Sequence, residues 1–152
     1  MRDFITDQVR ALLRAADALQ WLPPLVLRVF WGYFWAETGL AKLQNIDTFT
    51  ERFMGWGVPF PMFSATVSGL TDLVGGLCLM LGLFTRLVTI PMMINMIVAI
   101  TLVNIREVHS FDDFVELNEF LYVLVLFWLL VAGPGRVSVD HWLAKRLGLR
   151  SS

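Results

Sequence analysis

Two apolar runs, residues 64–84 and 87–105, follow one another with only Phe84-Thr85-Arg86 marking the break. Each approaches the ~20 residues that a helix needs to cross the hydrocarbon core of a bilayer. Three residues are too few for a domain outside the membrane, so the two runs form a tight helical hairpin. Two more runs, 23–43 and 116–133, have similar length and character. The whole chain of 152 residues is 57% hydrophobic and 16% charged, whereas a soluble domain is about 45–50% apolar and about 25% charged. The excess apolar surface needs a non-aqueous home. The expected fold is all-α: one integral membrane domain, a four-helix bundle, preceded by an N-terminal amphipathic surface helix.

The flanks agree with that division. Pro23 and Pro24 suit the opening turn of the first span, where backbone amides lack partners in any case. The stretch "GWGVPFPMF" before the second span is a Gly/Pro/aromatic turn placed where an interfacial loop belongs. Within residues 4–20, Ile5, Val9, Leu12, Leu13, Ala16 and Leu19 recur at helical spacing, with Arg10, Arg14 and Asp17 on other faces. That pattern reads as a helix lying on the membrane surface, and its charges interrupt what would be the core of a cleaved signal peptide. Three parts result: a surface helix (1–22), a four-span domain (23–135) and a basic tail (136–152). Gly133-Pro134-Gly135 closes the last span, and Ser138 or Asp140 can cap a short helix from Trp142 onward.

Cationic residues orient the spans. Arg2, Arg10, Arg14, Arg86, Arg136, Lys145, Arg146 and Arg150 fall on one side, against Lys42, Arg52 and Arg106 on the other, with Arg28 inside the first span. The excess of Lys and Arg on cytoplasmic segments puts both termini in the cytoplasm. The acidic loop "REVHSFDDFVELNE" then lies outside.

Ionisable residues within spans cost a few kcal/mol each, so they mark a site or a buried pair. Arg28, Trp35 and Lys42 are seven residues apart with Trp31 and Gly39 between, which puts both cations and two indoles on one face of the first span. Asp72 lies about 12 Å below the outer end of the second span, level with Trp35 to Glu37 when counted down the antiparallel first span. Asn95 and Glu119 fall within about a turn of that depth. A polar intramembrane cluster of Arg28, Glu37, Lys42, Asp72, Asn95 and Glu119 is therefore expected, with Arg106 at its rim. Two readings of it stand side by side. Asp72 either ties neighbouring helices together, or belongs to a water-accessible pocket for a quinone headgroup, a small polar substrate or a proton. No catalytic residue is assigned.

Other chemistries find little support. Cys78 is the single cysteine, so no disulfide or dithiol can form within the chain. His109 and His141 fall on opposite membrane faces, and Met92, Met93 and Met96 read as packing rather than a soft-metal site. No metal and no intrinsic cofactor is expected, and a net charge of −1 offers nothing to nucleic acid. The glycines, Gly32 and Gly39 in the first span and Gly69, Gly75, Gly76 and Gly82 in the second, let helices approach closely and permit a homo-oligomer without demanding one.

Four motifs in order give the chain a resemblance to the DoxX family of small four-helix bacterial membrane proteins, over roughly residues 26–147. "RVFWGYFWAETGLAKL" is similar to the family's first helix, carrying Arg28, Gly39 and Lys42. "ERFMGWGVPFP" resembles its loop ending in Gly-Val-Pro. "DLVGGLCLMLGLFTRL" resembles its signature, an acid followed by Gly75 and Gly76 and then Gly82, Thr85 and Arg86. "GPGRVSVDHWL" resembles its ending, with Gly135, Ser138 and Asp140. The family usually carries Glu where this chain has Asp72, which shortens the acid's reach by one methylene.

The resemblance implies a multi-pass protein of a bacterial inner membrane. It further implies a membrane subunit or accessory of a quinone-linked redox system, working with protein partners and with a bound quinone as the one candidate cofactor. In that role Asp72 and Glu37 would handle protons while Arg28 and Lys42 bind or balance charge. The alternative is non-enzymatic: a scaffold, a small-solute transport component or a stress- or metal-handling accessory.

Overall fold

The computed structural model describes residues 2–106 and 108–148, with the side chains of 6–105 and 108–148. Arg150 of the basic tail lies outside the described residues, as do the side chains of Arg2, Ile5 and Arg106. All described secondary structure is helical: α1 (Arg2–Ala18), α2 (Leu22–Gln44), α3 (Ile46–Gly55), α4 (Pro61–Leu81), α5 (Thr85–Leu102), a 3-10 turn (Asn104–Arg106), α6 (Phe111–Glu116), α7 (Asn118–Ala132) and α8 (Val139–Arg146). The four apolar runs fall on α2, α4, α5 and α7. Of these, α4 and α5 are long and apolar enough to cross a membrane. The 23-residue α2 has the length but carries Arg28, Glu37 and Lys42, and the apolar α7 has 15 residues.

The hairpin breaks earlier than the sequence reading placed it. Gly82, not Phe84, ends α4: it takes the left-handed conformation (φ +66°) that a side chain would resist. Its N–H donates to the Leu79 carbonyl and that of Leu83 to the Cys78 carbonyl, satisfying two carbonyls at the helix end. At the other end α4 starts at Pro61, three residues before the expected run, because proline needs no amide partner there.

Two helices were not anticipated. Residues 46–55, read as part of a loop, form α3, and the 3.6-residue period is visible in Ile46, Phe49, Phe53 and Trp56. The acidic loop contains α6, started by Ser110. Its side chain accepts from the Asp113 N–H at 3.2 Å, while Asp113 Oδ2 accepts from the backbone of His109 and Ser110, both at 2.9 Å. Likewise α8 begins at Val139 rather than Trp142, with Ser138 Oγ accepting from the His141 N–H at 3.1 Å.

Glycine determines how the long helices meet. A methyl group on Gly39 would run into the Leu73 amide and lie 2.7 Å from the Gly69 carbonyl oxygen. On Gly76 it would strike the Ala36 amide and the Gly32 carbonyl, so α2 and α4 touch backbone to backbone. The adjacent Gly75 faces the other way, toward the Met92 side chain of α5. The glycine faces that permitted a homo-oligomer are thus largely occupied within the chain. On the far side α5 packs along α7, and Trp35, Leu79, Met92, Met96, Leu126 and Leu129 fill the core between the four helices. By contrast, every described side chain of α1 is exposed, Leu12 and Leu13 included.

Two outcomes follow from these contacts. Gly39→Ala forces α2 and α4 apart and should cost about 1–3 kcal/mol, read as a lower midpoint of thermal unfolding in detergent, whereas Gly55→Ala, which meets no neighbour, should not. In α6 the backbone amide of His109, with the Ser110 side chain and amide, holds the Asp113 carboxyl below the usual carboxylate range. A carboxyl depressed in this way contributes stability above its ordinary pKa and loses it as pH falls. Amide exchange at His109 and Ser110, corrected for intrinsic rates, should therefore quicken below about pH 4.

Candidate functional site

The polar centre is built on α2, α4 and α5. Helical side chains lean toward the N-terminus of their own helix, so Lys42, near the end of α2, reaches back down along α4. Its ammonium donates to Asp72 Oδ2 at 2.6 Å and to Ser68 Oγ at 3.1 Å. From α5, Asn95 Nδ2 donates to Asp72 Oδ1 at 2.9 Å and to Ser68 Oγ at 2.9 Å. The acceptor-only carboxylate fixes which way the Asn95 amide points. Asp72 is completely buried, whereas the Lys42 side chain keeps 14% of its surface exposed.

That exposed part opens on a cavity of about 380 Å³. Its walls are aromatic: Phe34 and Trp35 from α2, Phe49 and Phe53 from α3, Trp56 just after α3, and Tyr122 from α7. Tyr122 is fixed edge-on against Trp31 and Trp35, with ring centroids 5.1 and 5.7 Å away. Lys42, Ser68 and Asn95 supply the inner polar groups, and Asn104 and Glu119 also reach the lining. An ammonium has three donors, and two are used on Ser68 and Asp72. One Lys42 donor is therefore uncommitted among the described residues, and the Lys42 and Asn95 side chains line the cavity together with the aromatic rings.

Of the six residues expected to cluster, the structure joins Lys42, Asp72 and Asn95 directly and puts Glu119 on the same cavity. Glu37 does not face it, being exposed on the outward side of α2. Asp72 sits level with Gly39, about a turn further along α2 than the simple depth count gave, because the glycine contacts set the register.

Arg28 belongs to the opposite end of the helices. It is 1% exposed, its Nη2 donates to the Val137 carbonyl at 2.5 Å, and Nε and Nη1 are buried without a partner among the described residues. Most of the remaining motif residues gather around it. Gly82 leaves room for the Arg28 guanidinium and for Ser138. Asp140 fastens α8 across the α4–α5 turn: its N–H donates to the Gly82 carbonyl at 2.9 Å, and its carboxylate accepts from the amides of Phe84 (2.7 Å) and Thr85 (2.9 Å). Those are the first amides of α5, which no intrahelical carbonyl can satisfy. Arg86 donates to the Val131 carbonyl at 3.1 Å, and Gly135 packs against Pro24. This end reads as a structural latch.

Several cavity residues escaped the sequence reading. Ser68 precedes Asp72 by four residues and so shares its helical face, a signal that a serine in an apolar run carries only weakly. The α3 aromatics were hidden by treating their segment as a loop. Tyr122 had no sequence mark beyond lying three residues after Glu119.

The sequence model of the DoxX family matches residues 24–105. The chain is 32% identical over 138 residues to "Uncharacterized membrane protein Rv3486" of Mycobacterium tuberculosis, covering 82% of this chain and 84% of that protein. It is also 31% identical over 123 residues to "Putative oxidoreductase CatD" of Bacillus subtilis, covering 80% and 87% respectively. No solved structure matches.

The network makes a testable demand. Asp72→Leu leaves the Lys42 ammonium buried without its counter-charge and should destabilise the protein by about 3–5 kcal/mol. Adding Lys42→Met to it removes the orphan charge and should recover most of that loss. Thermal unfolding of both variants in one detergent measures the difference, and a double variant no better than the single one contradicts the pairing.

Proposed function

The chain belongs to the DoxX family of membrane proteins, and from that premise we propose that it is a membrane subunit of a quinone-linked redox system. In this reading α2, α4, α5 and α7 cross a bacterial inner membrane as a four-helix bundle. Both termini lie in the cytoplasm, and α1 lies on the bilayer surface with Val9, Leu12 and Leu13 toward lipid and Arg10 and Arg14 toward headgroups. The observation that carries the proposal is the aromatic cavity ending on Lys42. A planar ring with a carbonyl on its edge fits that combination: Trp35, Trp56 and Tyr122 offer faces and edges to the ring, and the third Lys42 N–H meets the carbonyl oxygen. The Asn95 carbonyl oxygen is the acceptor that the corresponding hydroxyl would need.

A quinone, when bound, carries electrons and protons together, and a partner protein supplies or receives the electrons. The residues of this chain bind and orient it. Asp72 keeps the Lys42 ammonium charged and aimed, Asn95 and Ser68 hold Asp72, and α3 covers the site. The name of the Bacillus subtilis relative, an oxidoreductase, supports this direction. The number of motif residues spent on the latch around Arg28 and Asp140 favours a second reading, a non-enzymatic scaffold or small-solute carrier that uses the same cavity.

Titrating purified protein with a short-chain 1,4-benzoquinone decides between them. Binding should quench the cavity tryptophans saturably. Lys42→Met in the Asp72→Leu background should weaken it about tenfold to a hundredfold, the value of a charge-assisted hydrogen bond of about 1.5–3 kcal/mol. Saturable quenching that the double variant leaves unchanged, or no quenching at all, removes the quinone reading.

A further inference from the structure

A second pocket, of about 280 Å³, shares no wall residue with the aromatic cavity. It lies at the latch end of the helices, among Phe84, Arg86 and Leu87 around the start of α5, Pro134 just after α7, and Asp140 and His141 of α8. The one carboxylate in its wall is already committed. Both Asp140 oxygens accept from backbone amides, those of Phe84 at 2.7 Å and Thr85 at 2.9 Å, and the buried Arg28 guanidinium interacts with its charge.

The donors are not committed. Arg86 Nη2 donates to the Val131 carbonyl at 3.1 Å, which fixes the guanidinium beside the end of α7. Its other N–H groups have no partner among the described residues. The His141 ring has none either, with Nδ1 buried and Nε2 accessible. An unpaired N–H is costlier to bury than a bare nitrogen, so the proton belongs on Nε2, where the ring can donate outward. Lys145 follows on the same face of α8 one turn later and is exposed. Donors with a net positive charge thus surround a space whose only acid is satisfied, and such a space suits an anion.

The surroundings decide which anion. The pocket sits where α5 begins and α7 ends, which is the headgroup layer for helices that cross a bilayer. Trp142 of α8 is 51% exposed and carries the Arg146 guanidinium 4.2 Å from its ring centroid, a side-chain pair suited to the membrane–water interface. The pocket also runs on into an apolar surface. Leu87, one of its walls, is 65% exposed, and Ile90, Ile94 and Ile97 continue that exposure along one face of α5. The stripe is about 15 Å long. A free anion would fill the pocket and leave the stripe bare, whereas a phospholipid occupies both. Lys145 repels a choline or ethanolamine ammonium, so a headgroup of net negative charge fits best.

We propose that this pocket binds an anionic phospholipid, its phosphate oxygens accepting from Arg86 and His141 Nε2 and one acyl chain lying along Leu87, Ile90 and Ile94. The proposal requires α5 and α7 to cross the membrane and is independent of what the aromatic cavity binds.

Native mass spectrometry of the full chain tests it, with the protein delipidated in detergent and offered equal amounts of phosphatidylglycerol and phosphatidylcholine. One phosphatidylglycerol should be retained saturably and in preference to phosphatidylcholine. Arg86→Gln should weaken that binding about tenfold, as the loss of a charge-assisted hydrogen bond. Lys145→Gln should weaken it about fivefold, and because Lys145 is exposed this variant keeps the test open where Arg86→Gln unfolds. Replacing Arg10 and Arg14 of α1 by Gln should change nothing. Equal retention of the two lipids overturns the proposal, as does phosphatidylglycerol binding that Arg86→Gln and Lys145→Gln both leave intact. Displacement of the lipid by inorganic phosphate makes this a free-anion site and overturns the lipid assignment. So does an acidic protein that co-purifies in place of lipid and is lost with Arg86→Gln.

Discussion

The contact of α2 with α4 through Gly32, Gly39, Gly69 and Gly76 is the constraint on which the rest of the structure depends. It brings two backbones together between Gly32 and Leu43 of α2 and Gly69 and Met80 of α4 and leaves no slack for sliding, since Gly39 abuts the Leu73 amide and Gly76 the Ala36 amide. Register follows from it. Only with this register does Lys42, leaning back along its own helix, arrive at Asp72 and Ser68. The same contact has a second consequence. With α2 pressed onto α4, space remains on its other side, beside α5 and α7, and α3 and Tyr122 enclose that space as the cavity.

The two ends of the helices do different work. Around Arg28, Gly82, Thr85, Ser138 and Asp140, the Asp140 carboxylate and one Arg28 nitrogen hold α8 over the α4–α5 turn, while Arg28 Nε and Nη1 and Thr85 Oγ1 are buried without a partner among the described residues. The left-handed Phe84 (φ +48°) is a costly conformation for a bulky residue, and the Asp140 carboxylate on its amide is what maintains it. Around Lys42, polar groups are left over and meet an open volume. Most of the motif that identifies the family therefore describes a scaffold, and chemistry specific to this chain belongs to the cavity walls. Those walls come largely from α3 and α7, outside the densest part of the motif.

Much of the fold was legible because apolar length and small-residue spacing are local properties. The four apolar helices followed from the length of the apolar runs, and depth counting placed Asp72 near Lys42 and Asn95, with pairing as one of two readings of that cluster. Three things did not. Helix rotation is absent from a depth count, so Glu37 and Arg28 were grouped with Asp72 although one faces outward and the other lies at the far end. The register was off by about a turn because packing at Gly39, not equal lengths, sets it. And α3 was passed over because its aromatics lie beside a Gly/Pro-rich turn, whose signal for a loop is stronger than that of a ten-residue helix.

The energetics of Lys42 and Asp72 bear on why the pair is there. Two charges taken from water into a low-dielectric interior recover by mutual attraction roughly what desolvation costs, so apolar residues of similar volume would hold the helices as well or better. Adhesion between α2 and α4 does not need the pair either, since the glycine contact supplies it. Asn95 extends the network to α5, but α5 already packs on α4 at Gly75 through Met92. What an apolar substitute could not provide is a charged donor held at fixed aim beside an aromatic cavity. Asp72 is fully buried and held by Lys42 and Asn95, away from the cavity; Lys42 is the member of the pair that lines it. The carboxylate within the apolar run is thus best understood as the support of a lysine, and the lysine as the charged group that the network holds at the wall of the cavity.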